Sequence, residues 1–213
     1  AALTAVAFLA DRLQTGMRRD AATLMGGDAV LSSDHPVPAE FVQQAQAAGL
    51  GSSQSTSFPS MARAPEAQGG ATQLVAVKAV DNAYPLRGRL SVKGAESAAA
   101  QPVAGGPAPG EVWVDESLPG RLGLHVGDAL WLGDASLRIA RLIVVEPDRG
   151  TGFLSFAPRV LLNQADLPAT GLVQPASRLT YRLAVAAPPG REDAVAGYAR
   201  WMRAAIQAQG LKG

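Results

Sequence analysis

Leu3, Val6, Ala10, Leu13 and Met17 recur at steps of three and four residues, which lays one apolar stripe along a helix. The spacing predicts that helix over 3–25, with Gly26-Gly27 as its stop. A short strand over 28–33 follows and ends in Asp34-His35-Pro36-Val37-Pro38, where two prolines break regular pairing. Phe41, Val42 and Ala45 mark one side of a second helix over 39–48, stopped at Gly49. Residues 50–63 and 72–80 read as antiparallel strands joined by a loop at 64–70. Near the other end, Arg178 to Val185 alternates apolar and polar positions, the mark of a half-buried strand, and Pro188-Pro189-Gly190 ends it. A last helix over 191–209 gathers Val195, Tyr198, Ala199, Met202 and Ile206 on one face. Glu192 and Asp193 sit in its first turn, where the helix dipole favours negative charge.

The middle of the chain has a different rhythm. The strand Glu111–Val114 leads through Asp115-Glu116 into one helical turn, Ser117 to Leu122. A turn at 123–128 then starts a strand at 129–132, and Gly133-Asp134 turns it into another at 137–143. Glycine and aspartate between apolar runs are turn chemistry, because glycine accepts positive φ and aspartate bonds its own backbone. The expected product is a small antiparallel β-unit with a helical turn wedged into it. Before it, residues 94–110 hold six alanines, four glycines, three prolines and one charge, a composition that predicts a mobile loop. After it, residues 147–177 read as mixed loop with a short helical piece at 158–166.

Strand, helix, strand, strand over 28–80 is a ferredoxin-like half-unit, and the strand and helix at 178–209 supply a second half. The expected fold class is therefore α+β, with one lobe drawn from both chain ends and a β-rich lobe inserted between them. The boundaries are 1–25 for the first helix, 26–93 with 176–213 for the α+β lobe, and 94–175 for the inserted lobe.

At 213 residues the chain is long enough for a sizeable core. Nineteen basic residues against 18 acidic ones leave a net charge of +1, without the basic excess a nucleic-acid face needs. The absence of cysteine removes disulfides, thiol nucleophiles and thiolate metal sites together. No stretch reaches the roughly 18–20 apolar residues that cross a bilayer. The chain begins in mid-helix, without an initiator Met or a basic leader, and so reads as a piece of a longer protein.

Candidate chemistry is sparse. His35 lies beside Asp34 and His125 sits in a turn, but neither has the three or four converging ligands of a metal site. Ser155, in Phe153-Leu154-Ser155-Phe156, lacks the glycines of a nucleophile elbow. Asp115 and Glu116 are adjacent in a strand end and point to opposite faces, which suits a solvated pair better than an acid–base couple. Gly150-Thr151-Gly152 lacks phosphate-loop spacing and its lysine. Arg18-Arg19 reads as a solvated face balanced by Asp11 and Asp20. These readings assign no catalytic, cofactor or metal residue. The most unusual loop is Arg149 to Phe153, continued to Phe156. Arg149 is a cation, Gly150 and Gly152 are hinges, and Phe153 and Phe156 supply apolar area, so these five are the candidate partner-binding residues. The competing reading is a β-turn whose aromatics pack inward.

The turn Leu122-Gly123-Leu124-His125-Val126-Gly127-Asp128 resembles one in the extracytoplasmic core domain of MacB/FtsX/LolC-type ABC-transporter permeases. Tyr84-Pro85-Leu86-Arg87-Gly88 resembles the stretch after the first sheet of those domains, and Ala1 to Leu13 resembles the outer end of a first membrane helix. Asp11-Arg12, Ser33-Asp34-His35-Pro36 and the Asp148 to Phe153 loop are most similar to the lysophospholipase-linked, YbbP-like branch of Gram-negative bacteria. The resemblance covers nearly the whole chain. It implies a porter-like α+β lobe with an inserted β lobe and helical stalks at both termini. It also implies a non-catalytic periplasmic domain of an inner-membrane permease that carries ATP-driven motion outward. The implied partners are a separate cytoplasmic ABC ATPase and a periplasmic lysophospholipase or thioesterase, or a lipid-like cargo, with the membrane part lying outside this chain. The alternatives are a membrane-anchored periplasmic binding or adaptor domain and, more weakly, a hydrolase.

Overall fold

The computed structural model describes residue 14 and residues 16–209, with Phe153 described by its backbone alone. The predicted stripe from Leu3 to Leu13 lies outside the described residues; Met17, its last member, is 72% exposed. Residues 16–25 are helical (α1). Gly26, at φ 73°, ends α1: its N–H donates to the Thr23 carbonyl and the Gly27 N–H to the Ala22 carbonyl, satisfying carbonyls the helix leaves open.

The first strands and helices follow the sequence pattern closely. Ala29–Ser33 is β1, Ala39–Ala47 is α2, Gly51–Arg63 is β2 and Thr72–Val80 is β3. After them come β4 (Leu90–Lys93), β5 (Gln101–Val103), β6 (Glu111–Asp115), α3 (Leu118–Leu122), β7 (Ala129–Leu132) and β8 (Ala135–Val145). The chain closes with β9 (Arg159–Asn163), β10 (Thr180–Ala186) and α4 (Glu192–Gln209).

Together the strands make a mixed α+β architecture around one large sheet. Its order is β1-β10-β2-β3-β9-β6-β8-β4-β5, with β7 bridging β8 and β2. That bridge closes β2, β3, β9, β6, β8 and β7 into a ring. Inside it Val75, Val77, Val112, Val114, Leu130, Ile139, Val160 and Leu162 are buried in one cluster. At the other end β10 lies antiparallel between β1 and β2, and α2 and α4 cover one face of the three strands. Phe41, Leu31, Leu183, Val185, Tyr198 and Met202 form that second core. Trp201 stands edge-on to Phe41, with ring centroids 5.1 Å apart. The buried Tyr198 hydroxyl, its pKa pushed up to about 12 by burial, donates to the Phe41 carbonyl at 2.8 Å. The long strands β2 and β3 belong to both regions.

Three local expectations are corrected. Within 158–166 only the last three residues, Gln164–Asp166, form a helical turn; Arg159–Asn163 is a fully buried strand, parallel to β3 and antiparallel to β6. Val160-Leu161-Leu162 is a short unbroken apolar run, which suits a strand covered on both faces and has no period of its own to tell it from a helix. The middle unit is not wholly antiparallel, because β6 and β8 run parallel. The crossover through α3 and β7 brings the chain back in its original direction. Finally, 94–110 is not loop throughout: β5 pairs with β4, and Pro107 is buried, its carbonyl accepting from the Asn163 amide at 3.1 Å.

Candidate functional site

Strand alternation gives the β1-β10-β2 sheet two unlike faces. Leu31, Leu183 and Val185 point to the helices. The other face carries Ser32 opposite Arg182, and the row Thr180, Ser57, Lys78 across three strands. Lys78 interrupts the apolar run of β3, is 3% exposed, and points at the segment that follows β8.

That segment is Glu146-Pro147-Asp148, and both of its carboxylates are buried. The Lys78 ammonium donates to Asp148 Oδ2 at 2.8 Å, to Glu146 Oε1 at 3.2 Å and to the Tyr84 hydroxyl at 3.2 Å. Tyr84 in turn donates to Asp148 Oδ1 at 2.6 Å. Arg159, buried at the start of β9, donates through Nε to Glu146 Oε2 at 2.8 Å. Arg182 reaches Asp148 Oδ2 at 3.4 Å and also donates to the Met25 carbonyl at the end of α1. Burial pushes the Asp148 pKa up, but Lys78, the Tyr84 hydroxyl and Arg182 outweigh it and hold the carboxyl below its ordinary value. Burial and the Asp148 and Glu146 charges drive the Tyr84 phenol well above its ordinary value. At neutral pH Tyr84 is therefore a protonated donor within a fixed network.

The network touches two other parts of the molecule. Gly26 packs on it so closely that a Cβ there would lie 2.9 Å from Asp148 Oδ2. Thr23 likewise lies beside Gly88, which abuts Pro147. On the other side the chain passes directly from Asp148 into the loop at 149–157. Arg149 is half-buried: its guanidinium holds Asp115 Oδ2 at 2.9 Å and the Ser155 and Ala157 carbonyls at 3.0 Å each. Burial raises the Asp115 pKa, while Ser117 and Arg149 together bring it below its ordinary value. Between α1, this loop and the polar sheet face lies a cleft of about 350 Å³.

The structure places the five candidate partner-binding residues on this loop, with different surroundings. Gly150 and Gly152 are exposed with positive φ, 78° and 141°, the conformation that favours glycine. Phe156 is 86% exposed. The Phe153 side chain lies outside the described residues. Arg149 is committed to internal contacts. Ser155 is bonded to the Gly152 carbonyl through its hydroxyl. His35 is exposed beside Asp34, His125 is exposed in its turn, and Glu116 pairs with Lys93 at 2.9 Å. No group of residues able to hold a metal occurs among the described residues. No motif in the sequence singles out Lys78, Glu146 or Arg159, and Tyr84 stands out there only as part of the Tyr84 to Gly88 stretch, although a lysine inside an apolar strand is a local signal that a buried counter-charge must exist.

No protein-family model matches the chain. Over 202 residues, 95% of its length, it is 35% identical to the uncharacterized ABC transporter permease YbbP of Escherichia coli strain K12. The chain is an ABC-transporter permease-type domain. It spans 23% of that relative's length. A domain assigned to a permease protein of Porphyromonas gingivalis overlaps 65% of this permease domain and 61% of its own chain. Its identity is 16% and its TM-score 0.39, an overlap too small to speak for fold or function. Among the described residues of the permease domain no helix is long and apolar enough to cross a membrane.

Proposed function

We propose that this permease domain catalyses no reaction and works as a mechanical element on the periplasmic side of an inner membrane. In this reading α1 and α4 are the outer ends of stalk helices, at 1–25 and within 176–213. ATP is hydrolysed on a separate cytoplasmic ABC ATPase, and the motion arrives through α1. The supporting observation is that the end of α1 and the loop at 149–156 hold the same buried group: Gly26 packs on Asp148, Arg182 joins Asp148 to the Met25 carbonyl, and Arg149 follows Asp148 directly. A shift of α1 presses Gly26 on Asp148 and pulls on the Arg182 contact to Met25, so the network and the loop that follows it move with it. Arg149, Gly150, Gly152, Phe153 and Phe156 then present that movement to a periplasmic lysophospholipase or thioesterase, or to a lipid-like cargo. The 94–175 segment acts as the delivering lobe and shares the ring with β2 and β3.

The test uses the full-length permease with its ATPase in a lipid disc. The 213 residues contain no cysteine, so within them single cysteines at Phe156 and at the exposed Met61 can carry a spin-label pair once any cysteine elsewhere in the permease is replaced by serine. ATP should shift the distance distribution between them. Gly26→Val, whose side chain would press on Asp148, should abolish the shift. A distribution indifferent to ATP would instead favour the anchored adaptor.

A further inference from the structure

We infer that the cleft between α1, the loop at 149–156 and the polar sheet face is a binding site for a small phosphate-bearing ligand, with Arg182 as its charge anchor. The inference does not depend on the mechanical reading. It begins with the charges under the cleft. Among the described residues the buried network sets three cations, Lys78, Arg159 and Arg182, against two carboxylates, Glu146 and Asp148. Arg149 does not alter the balance, since Asp115 answers it.

The unanswered charge falls on Arg182. Lys78 stands 2.8 Å from Asp148 Oδ2, whereas Arg182 reaches the same oxygen only at 3.4 Å. Its remaining partner, the Met25 carbonyl, sits at a helix end and carries only a partial negative charge. The Arg182 side chain is 23% exposed, so water screens it incompletely, and it faces the cleft. A half-hidden guanidinium with one shared carboxylate is an anion site waiting for its second counter-charge.

The neighbours select the kind of anion. Ser32, Ser57 and Thr180 line the same cleft and bring three hydroxyl donors on strands β1, β2 and β10. A planar carboxylate presents two oxygens, which one guanidinium fork satisfies. A tetrahedral phosphate presents more, and hydroxyls on three adjacent strands beside an arginine suit it better. The volume, about 350 Å³, is at the small end of ligand pockets. Leu24 of α1 and Leu154 of the loop also line it, and Leu24 is 68% exposed. An apolar tail leaving the phosphate would find these two side chains at hand.

Isothermal titration calorimetry on the 213-residue chain tests this with three probes. These are inorganic phosphate, a short-chain phosphatidic acid below its micellar concentration, and an alkyl glycoside of the same chain length. Saturable binding is expected for the phosphate-bearing probes and none for the glycoside. Arg182→Gln should weaken that binding about tenfold or more, because a charge-assisted contact is lost. Ser57→Ala should weaken it about threefold, the size of one neutral hydrogen bond. Should Arg182→Gln lose its fold by circular dichroism, the double variant Ser57→Ala, Thr180→Val carries the test, with a larger loss than Ser57→Ala alone expected. Equal affinity for phosphate and phosphatidic acid identifies a free phosphate ligand, and tighter phosphatidic acid identifies a lipid headgroup with its tail. No saturable binding of either probe, equal binding of the glycoside, or unchanged affinity in the folded variants overturns the inference.

Discussion

Two buried regions share the strand β2 and are built on opposite principles. Around Phe41 and Tyr198 the sheet is sealed by α2 and α4 with apolar side chains and one polar contact, the Tyr198 hydroxyl. Across the same sheet the interior is ionic, with Lys78, Glu146, Asp148 and Arg159 all under 9% exposed. An apolar core tolerates small rearrangements at modest cost, whereas an ionic one works only when every partner is present. The first region therefore serves as foundation. The second is a junction, and α1 and the candidate partner loop both end on it.

The largest effect should come from breaking each region once. Lys78→Met removes the buried cation that Glu146 and Asp148 share, leaving Glu146 to Arg159 and Asp148 to the more distant Arg182, and should cost about 3–5 kcal/mol. Phe41→Ala opens a cavity and should cost a similar amount, about 3–5 kcal/mol. Urea titration across pH separates the two. The folded-state pKa of Asp148 lies below its unfolded value, so its contribution is present above about pH 4 and is lost as the pH falls below that. In Lys78→Met the two carboxylates are less fully compensated and gain by protonation, so the gap from wild type should narrow in acid. The Phe41→Ala gap should not change with pH. Tyr84 sets the alkaline side: its folded pKa lies above the unfolded value, so its contribution is full below about pH 10 and is lost above that.

A smaller loss, about 2 kcal/mol, should follow Asp115→Ala, which frees one end of the half-buried Arg149. Thermal melting should show it, along with a more mobile 149–157 segment. Smaller still is Phe156→Ala, within about 0.5 kcal/mol of wild-type stability because the ring is exposed. Its effect should appear instead in partner capture, at about 2 kcal/mol of affinity. At the bottom of the scale, His35→Ala, His125→Ala and Ser155→Ala should change no turnover. Saturable hydrolysis of an acyl ester that one of them abolishes would restore the hydrolase reading.

The contrast between the two regions also explains what could be read in advance. The helix-covered region was legible because its signals are local. The three- and four-residue spacing around Phe41 and Tyr198, the alternation over 178–185 and the glycines at 26 and 49 each act within a few residues. The ionic junction was not legible, because Lys78 and Asp148 meet only once a ring of strands has closed between them. Strand β9 failed for a related reason, since its neighbours on both sides come from distant segments. The candidate loop stands out in the sequence by its glycines and aromatics. Its cation, Arg149, pairs with Asp115, which nothing near it in sequence announces.

The central claim is that α1 and the 149–156 loop are coupled through the Asp148 network and not through the apolar core. Hydrogen exchange on the Asp148→Asn variant, compared with wild type, tests it most directly. The variant keeps the shape of the side chain and removes the charge that Lys78 and Arg182 share. The account predicts that protection falls together in residues 22–27 and 149–157 while residues 41–45 and 198–202 keep theirs. Loss at only one of the two coupled segments, or an equal loss in the Phe41 and Tyr198 region, would contradict it.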